Sequence, residues 1–300
     1  MGHISRGYGS RSRSLRIPTM ESMRAGERED LEITSTANAR VKQLVTLRRR
    51  RARDAAGVTV AEGYAELALA LSAGTVPHTV YLCPDLAYDP RGITQTLRDS
   101  GTEIVRVSRA VFGKVAYRES PDGWLAVVPA VRADLDALEL GERPLVLVCE
   151  GVEKPGNLGA ILRTADAAGA TAVVAADPAT DWGNPNVVRA SKGTVFGVPV
   201  ASASSGDVLT WIRRHQLTLI AAAPGASTTL SGVDLTGPVA LAFGSESDGL
   251  SSAWLEQAEH AITIPMFGRA DSLNVAASAA IVTYEAVRQR MVQGVLRSQG

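Results

Sequence analysis

Residues 239–251 read Val239-Ala240-Leu241-Ala242-Phe243-Gly244-Ser245-Glu246-Ser247-Asp248-Gly249-Leu250-Ser251, and they indicate an α/β fold. Five apolar residues in a row predict a buried strand, and the polar, glycine-containing residues behind them predict a tight loop at its end. Open α/β sheets bind their ligands at such loops. The segment lacks the lysine of a Walker loop and any G-x-G-x-x-G pattern, so it does not indicate a nucleotide triphosphate site.

A second segment also has an apolar run followed by a polar loop. The apolar run at 144–149 predicts a strand, residues 154–157 predict a loop, and a helix is expected from about Leu158. Asn157 stands where a helix N-cap belongs, so capping is one interpretation of it. Arg163 is a strong cation in a helix of mostly small and apolar residues, and it needs a carboxylate, a phosphate or water as partner.

A third segment completes the set. Residues 261–264 predict a strand, Pro265-Met266 and a loop follow, and Ser272-Leu273-Asn274 precede a long apolar helix expected over 275–287. Taken singly, Ser272 and Asn274 are plausible helix caps and Leu273 is an ordinary core residue.

Together, the three segments resemble the signature motifs of the SpoU/TrmH branch of SPOUT methyltransferases, which transfer a methyl group from S-adenosyl-L-methionine to a ribose 2′-hydroxyl of RNA. The resemblance covers about residues 144–290. It implies catalytic roles for Asn157, Arg163, Glu246, Ser272 and Asn274. It implies cofactor contacts by Gly244, Ile264, Met266 and Leu273, with a plain strand-to-helix turn and a solvated Glu246 as the alternative for the middle segment.

The resemblance also implies the fold: an α/β chain whose C-terminal SPOUT domain has a parallel sheet and a deep trefoil knot. Knots are rare in protein chains, and periodicity does not predict one. A homodimer is implied as well, with the apolar face of the last helix as its candidate interface, formed by Ile281, Tyr284, Val287 and Met291.

The role of Arg163 in the reaction stays open between alternatives. A guanidinium is essentially always protonated, which disfavours a literal general base. We favour Arg163 as a phosphate anchor and as a stabiliser of the developing alkoxide. A deprotonated Arg163 and proton acceptance by Glu246 remain alternatives.

The region before the catalytic segments predicts a separate small α/β module. Its expected strands lie at 58–61, 79–83, 103–107 and 124–128, with helices over 64–72 and 92–99 and a first helix capped by Ser35 or Thr36. Thr34-Ser35, Asn38, the arginine-rich helix and Ala61-Glu62-Gly63 resemble the RNA substrate-binding domain of SpoU-type enzymes, which is similar to ribosomal RNA-binding proteins. The expected organisation is a disordered basic leader (1–31), this domain (32–130), a linker (131–142), the SPOUT methyltransferase domain (143–294) and a tail (295–300).

The net charge of zero hides an asymmetry. Residues 1–55 hold thirteen Lys/Arg against six Asp/Glu, whereas the remainder holds eighteen against twenty-five. Clustered cations attract phosphates, although a solvated helix face is the alternative. The candidate RNA-binding residues are Arg40, Lys42, Arg48, Arg49, Arg50 and Arg51, together with Arg189 and Lys192 of a further family-like stretch.

Composition excludes several other classes. The two cysteines, Cys83 and Cys149, lie in apolar runs and indicate buried thiols, and the four histidines show no metal-ligand spacing, so no metal is expected. No apolar stretch approaches the roughly 20 residues of a membrane-spanning helix. No signal-peptide core follows the start, an organelle transit peptide is disfavoured, and Met20 or Met23 is an alternative start; a cytoplasmic protein is expected.

The hypothesis is therefore an RNA 2′-O-ribose methyltransferase with ribosomal RNA as the favoured substrate and transfer RNA as the alternative. A non-catalytic RNA-binding or ribosome-assembly protein on the same scaffold is the second hypothesis, and an unrelated α/β ligand-binding protein is the third. The intact set of Asn157, Arg163, Glu246 and Asn274 favours the enzyme.

Overall fold

The computed structural model describes residues 30–294, so the expected tail and nearly all of the expected leader lie outside the described residues. Leu31, placed in that leader by the sequence, already belongs to a strand. The described chain builds two β-sheets with helices packed on them.

The first sheet has the strand order β1-β4-β3-β5-β2. β1, β4 and β3 are parallel, whereas β5 is antiparallel to both β3 and β2. Its strands are β1 (Leu31–Ile33), β2 (Val58–Glu62), β3 (Thr79–Leu82), β4 (Glu103–Val107) and β5 (Trp124–Pro129). Its helices are α1 (Ala39–Thr46), α2 (Arg50–Ala56), α3 (Tyr64–Ser72), α4 (Ile93–Asp99) and α5 (Arg109–Val115).

The basic stretch at the start of this module forms two helices, where one was predicted. Asn38, not Ser35 or Thr36, caps α1, because its side chain accepts a 2.8 Å hydrogen bond from the Arg40 backbone N–H. The arginines then begin a separate helix, α2, which ends at Gly57 in the left-handed conformation. β1 and α5 were not predicted, although Ser108 before Val111 and Phe112 is a recognisable start signal for α5.

The second sheet has the order β10-β12-β9-β11-β6-β7-β8, and every strand pair in it is parallel, which confirms the predicted parallel sheet. Its strands are β6 (Leu145–Glu150), β7 (Ala172–Ala176), β8 (Val200–Ala203), β9 (Thr218–Ala222), β10 (Thr228–Thr229), β11 (Val239–Phe243) and β12 (His260–Thr263). Its helices are α6 (Pro155–Ala168), α7 (Pro185–Ala190), α8 (Ser205–Arg214), α9 (Ser252–Gln257) and α10 (Val275–Val292), with short 3₁₀ turns at Thr194–Phe196 and Leu230–Gly232.

The strands of the second sheet are buried on both faces. Leu145, Leu147 and Cys149 of β6 enter one apolar cluster, whereas Val146 and Val148 enter another on the opposite face. This alternation explains why β6 and β11 read as continuous apolar runs, since a parallel sheet covered by helices on both sides has no solvent face.

One apolar cluster draws on both sheets, so the two modules share packing. It includes Leu67 of α3 and Trp124 of β5 as well as β6 and β11. The predicted linker is not a free tether, because Leu135 within it is buried against the second sheet. Among the described residues, no helix combines the length and apolarity needed to cross a bilayer.

Candidate active site

The three sequence segments converge at the carboxyl edge of the second sheet. In register, Phe243 at the end of β11 lies opposite Cys149 of β6 on one side and Ala222 of β9 on the other, and Ile262 of β12 also lies opposite Ala222. The loops that follow β6, β11 and β12 therefore begin at the same edge of the sheet, at nearly the same height along the strands. Gly244 and the start of the loop after β12 are two strand spacings apart, about 10 Å.

Asn157 connects residues from all three segments. Its Nδ2 group donates a hydrogen bond to Oε1 of Glu246, and its Oδ1 accepts a 3.2 Å hydrogen bond from Nδ2 of Asn274. The capping interpretation of Asn157 is wrong, because α6 begins at Pro155 with Lys154 at its N-cap. The amide of Asn157 is consequently free to bond other side chains.

The side chain of Asn274 makes two hydrogen bonds. Its Oδ1 accepts a 2.9 Å hydrogen bond from the Ala276 backbone N–H and so caps α10. Its Nδ2 group meanwhile reaches Asn157. One side chain thus starts the last helix and ties that start to α6.

The loop after β11 is closed on itself. The N–H and C=O of Ser245 bond the C=O and N–H of Gly249 at 3.2 and 3.1 Å. A Cβ atom on Gly244 would overlap the backbone of Gly249 and Leu250, so the loop's own closure requires glycine there. This closure leaves Glu246 exposed at the turn, with its carboxylate against Asn157.

Glu150 is a residue of this edge that the sequence analysis missed. It is the last residue of β6, and its Oε2 accepts a 2.7 Å hydrogen bond from the Ser251 backbone N–H. It therefore ties the end of the β11 loop to the neighbouring strand. A carboxylate as the final residue of an apolar strand is the signal that could have drawn attention to it.

The loop after β12 is open. The strand ends at Thr263, so Ile264, predicted as its last residue, is the first loop residue. Within the described part of the chain, residues 265–273 form no hydrogen bonds, and Ser272 is exposed. The side chains of Met266 and Leu273 are 39% and 37% exposed.

This open loop fits S-adenosylmethionine. An adenine ring requires apolar surface for its faces and unpaired backbone groups for its edge. Met266 and Leu273 offer the apolar surface, and the backbone of residues 265–273 offers the unpaired polar groups. Within residues 30–294, no hydrogen bond joins residues 265–273 to Asn157, Glu246 or Asn274.

Arg163 is exposed, and its guanidinium has no hydrogen-bond or ion-pair partner among residues 30–294. It lies four residues beyond Gly159, so the two share one face of α6. That face meets α7, since a Cβ on Gly159 would lie 2.7 Å from the carbonyl carbon of Ala190. Arg163 is therefore an exposed cation in the middle of α6, unpaired within residues 30–294, and no hydrogen bond joins it to Asn157.

The predicted RNA-binding arginines divide into two groups. Several are already engaged: Arg40 pairs with Glu103 at 2.7 Å, Arg50 lies 3.6 Å from Asp54, and Arg48 donates to the backbone carbonyls of Lys114 and Ala116. The others are exposed, and their side chains have no partner in the part of the chain that the structure describes: Lys42, Arg49, Arg51, Arg189 and Lys192. The second group is the one available to a polyanion.

The cysteines and histidines that the structure describes indicate neither a nucleophile nor a metal site. Cys83 and Cys149 are buried free thiols, as predicted, and burial raises the pKa of Cys149 to about 12, which removes it as a nucleophile. Across residues 30–294, His, Cys, Asp and Glu form no group of three suited to a metal ion.

Comparison with known proteins matches both modules. Residues 144–284 match the family model described as the SpoU rRNA Methylase family, and residues 38–126 match the MRM3-like substrate binding domain. The chain is 32% identical over 270 residues to the 23S rRNA (uridine(2479)-2′-O)-methyltransferase of Streptomyces viridochromogenes, covering 86% of this chain and 92% of that protein.

Solved structures of methyltransferases are similar to this chain over most of its length. A structure described as an RNA 2′-O ribose methyltransferase is 41% identical, with a TM-score of 0.77, covering 87% of this chain and all (100%) of that one. An AdoMet-bound rRNA methyltransferase from Sinorhizobium meliloti is 29% identical, with a TM-score of 0.78, covering 86% of this chain and 97% of that one.

Proposed function

The chain belongs to the SpoU rRNA methylase family, and from this membership we infer that it is an S-adenosylmethionine-dependent 2′-O-ribose methyltransferase of ribosomal RNA. The observation that carries the inference to this chain's own residues is the hydrogen-bonded cluster of Asn157, Glu246 and Asn274, which brings three distant segments to one sheet edge. A non-catalytic scaffold protein would not need that cluster to be intact.

The reaction makes two demands on the protein. Bound S-adenosylmethionine supplies an electrophilic methyl group on a sulfonium. The protein must hold the ribose 2′-oxygen in line with that methyl group, and it must receive the hydroxyl proton or stabilise the oxyanion as the new C–O bond forms. We assign cofactor contacts to Gly244, Ile264, Met266 and Leu273.

The catalytic assignments follow from position and charge. Glu246 is an exposed carboxylate oriented by Asn157, which supports it as the proton acceptor. Arg163, as an unpaired cation, is assigned to the phosphate beside the target ribose and to the developing alkoxide. Asn274 fixes Asn157, and the exposed hydroxyl of Ser272 is assigned to the substrate side of the loop.

Substrate delivery is assigned to the first module, residues 32–130, through Lys42, Arg49 and Arg51, with Arg189 and Lys192 on the catalytic domain, residues 143–294. These exposed cations suit phosphates, and side chains reach ribose hydroxyls best in unpaired RNA. No metal is needed for the chemistry.

Three further properties belong to the same proposal: a trefoil knot in the catalytic domain, a homodimer and a cytoplasmic location. The homodimer is supported by an apolar stripe on α10, where Ile281, Tyr284 and Met291 are 41%, 48% and 48% exposed. Such a stripe is costly in water unless a partner covers it.

The test uses purified protein, S-adenosylmethionine with a labelled methyl group, and 23S ribosomal RNA transcribed in vitro. We expect label at one ribose 2′-oxygen, and none when that nucleotide carries a 2′-deoxyribose. Label on a base, or on transfer RNA alone, would contradict the proposal. Mapping of 2′-O-methyl sites in cells with and without the protein identifies the nucleotide.

A further inference from the structure

The segment of residues 181–193 lies between the RNA-binding module and the catalytic helix α6, and we call it the seam segment. On one side it meets the first module, where a Cβ on Gly193 would lie 2.9 Å from the backbone of Glu66 in α3. On the other side Ala190 packs against Gly159 of α6, at backbone distances that leave no room for a side chain. The seam segment therefore touches both bodies at once.

An ion pair anchors the beginning of the seam segment. Nη2 of Arg53 donates to both carboxylate oxygens of Asp181, at 2.9 and 2.8 Å. Nη1 of the same guanidinium donates to the backbone carbonyls of Leu47 and Arg48 at 3.1 and 3.2 Å. The Arg53 side chain is only 3% exposed and Asp181 is 18% exposed. Arg53 is thus committed to Asp181 and cannot reach a phosphate in solvent.

Arg53 and Arg51 share the seven-residue helix α2, yet they face different surroundings. Arg51 is exposed and has no partner among the described residues, whereas Arg53 points inward to Asp181. Because both residues lie on one short helix, the ion pair at Arg53 also fixes the position of the exposed Arg51. Within α2, Arg51 is therefore available to RNA, whereas Arg53 holds the helix to Asp181.

We propose that the Arg53–Asp181 ion pair is a positioning contact that sets the RNA-binding face of α2 relative to Asn157 on α6, so that RNA bound by the first module presents its ribose to the catalytic cluster. The inference deepens the proposed function and rests on it. Arg53 and Asp181 touch neither substrate nor cofactor, so they act only through the elements they join.

The ion pair lies beside a pocket. A cavity of about 210 Å³ opens beside it, lined among others by Val58, Thr59 and Trp182. The shared apolar cluster holds the two modules together, but beside the pocket the direct link between α2 and the seam segment is the hydrogen-bonded ion pair. A displacement of about 1 Å at a reacting centre can cost on the order of 100-fold in rate.

The experiment compares Asp181→Asn with Asp54→Asn in the full chain. Asp54 is the matched control, because it is an exposed carboxylate of the same helix whose ion-pair partner within residues 30–294 is Arg50 and not Arg53. For each variant we measure kcat for methylation of 23S RNA, the Kd for that RNA and the Kd for S-adenosylmethionine. We expect Asp181→Asn to lower kcat about 10- to 100-fold while both Kd values stay within about twofold of wild type. Asp54→Asn should leave all three unchanged.

Two results overturn the inference: an unchanged kcat in Asp181→Asn, or a loss of rate that is matched by a loss of RNA affinity. If Asp181→Asn does not fold, Asp181→Glu decides, since it keeps the charge pair but lengthens it; it should lower kcat at unchanged RNA Kd, and a wild-type kcat overturns the proposal. Inactivity of the wild type on every RNA would instead refute the proposed function, so the two failures are distinguishable.

Discussion

The Nδ2 group of Asn274 donates a 3.2 Å hydrogen bond to Oδ1 of Asn157, although the two residues are 117 positions apart. The bond joins the start of the last helix to the first turn of α6. Because Asn157 also donates to Glu246, its amide is used in both directions and its orientation is determined. If water replaced either Glu246 or Asn274, the Asn157 amide would no longer be held in this orientation.

Replacement of Asn157 by alanine should lower methylation strongly. Both hydrogen bonds are lost, so Glu246 and the start of α10 are no longer held together. We expect kcat to fall about 100-fold or more, the range for loss of an acid–base or oxyanion group, with little change in the Kd for S-adenosylmethionine. Gln257→Ala, at an exposed amide side chain of α9, is the control. An Asn157→Ala enzyme that is folded and fully active would refute the catalytic assignment.

Removal of the two free arginines should weaken RNA binding in a salt-dependent way. Arg49 and Arg51 are exposed and, within residues 30–294, unpaired. Each phosphate contact contributes about one unit to the slope of log K against log salt, so the double alanine variant should reduce that slope by about two. Titrations at several salt concentrations measure it, with Arg213→Ala on α8 as control. An unchanged slope would mean that these arginines form a solvated surface.

Tyr117 should make the folded chain sensitive to alkali. Burial raises its pKa to about 12 from an ordinary value of 10.0. Because the folded chain holds the proton more tightly, the associated stability is fully present below pH 10 and is lost as the pH rises from 10 to 12. The phenol is partly buried, so we expect a loss of about 1–2 kcal/mol.

Tyr117→Phe should remove this pH dependence. The Tyr117 hydroxyl is buried without a hydrogen-bond partner among the described residues, so the variant should be as stable as wild type at pH 7, or slightly more stable. Urea unfolding at pH 7 to 12 measures both effects. Tyr88→Phe, at a tyrosine 77% exposed, is the control and should keep the wild-type pH dependence. The assignment fails if Tyr117→Phe loses the same stability in alkali.

Arg290 should contribute strongly to stability although, within residues 30–294, its guanidinium forms no ion pair. Its side chain is 3% exposed, and burial lowers its pKa. The guanidinium donates to four backbone carbonyls, those of Leu235, Arg143, Pro144 and Gly237. Arg290→Met removes the donor to the carbonyls of Leu235, Arg143 and Gly237, whereas that of Pro144 keeps its bond from the Val239 backbone N–H. The change should cost about 3–5 kcal/mol of unfolding free energy. Arg288→Met, at an exposed position of the same helix, should change it little; equal effects would contradict the assignment.

The apolar stripe of α10 should be required for the dimer. Ile281→Glu places a charge in that stripe, and burying an unpaired charge at an interface is unfavourable. We expect light scattering to give the mass of a dimer for the wild type and of a monomer for the variant. Leu255→Glu, at a similarly exposed leucine of α9, should remain dimeric. A monomeric wild type, or a dimeric Ile281→Glu, would contradict the proposed interface.

Local patterns were sufficient to predict most elements. Helix α3 over 64–72, strand β4 over 103–107 and strand β11 over 239–243 have the bounds expected from their periodicity. The order of the three polar loops was sufficient to identify the family. These signals are short-range, because strand and helix periodicity and glycine in turns act over a few residues.

Contacts between distant residues were decided by tertiary structure alone. Arginines of one basic stretch have different partners, because Arg53 pairs with Asp181 whereas Arg49 and Arg51 pair with no carboxylate among the described residues. Asn157 and Asn274 each matched a local capping signal, yet only Asn274 is a cap, and the bond between them depends on the packing of α10 against α6. The partner of a side chain depends on which helices and strands the fold brings together. No short stretch of sequence contains that information.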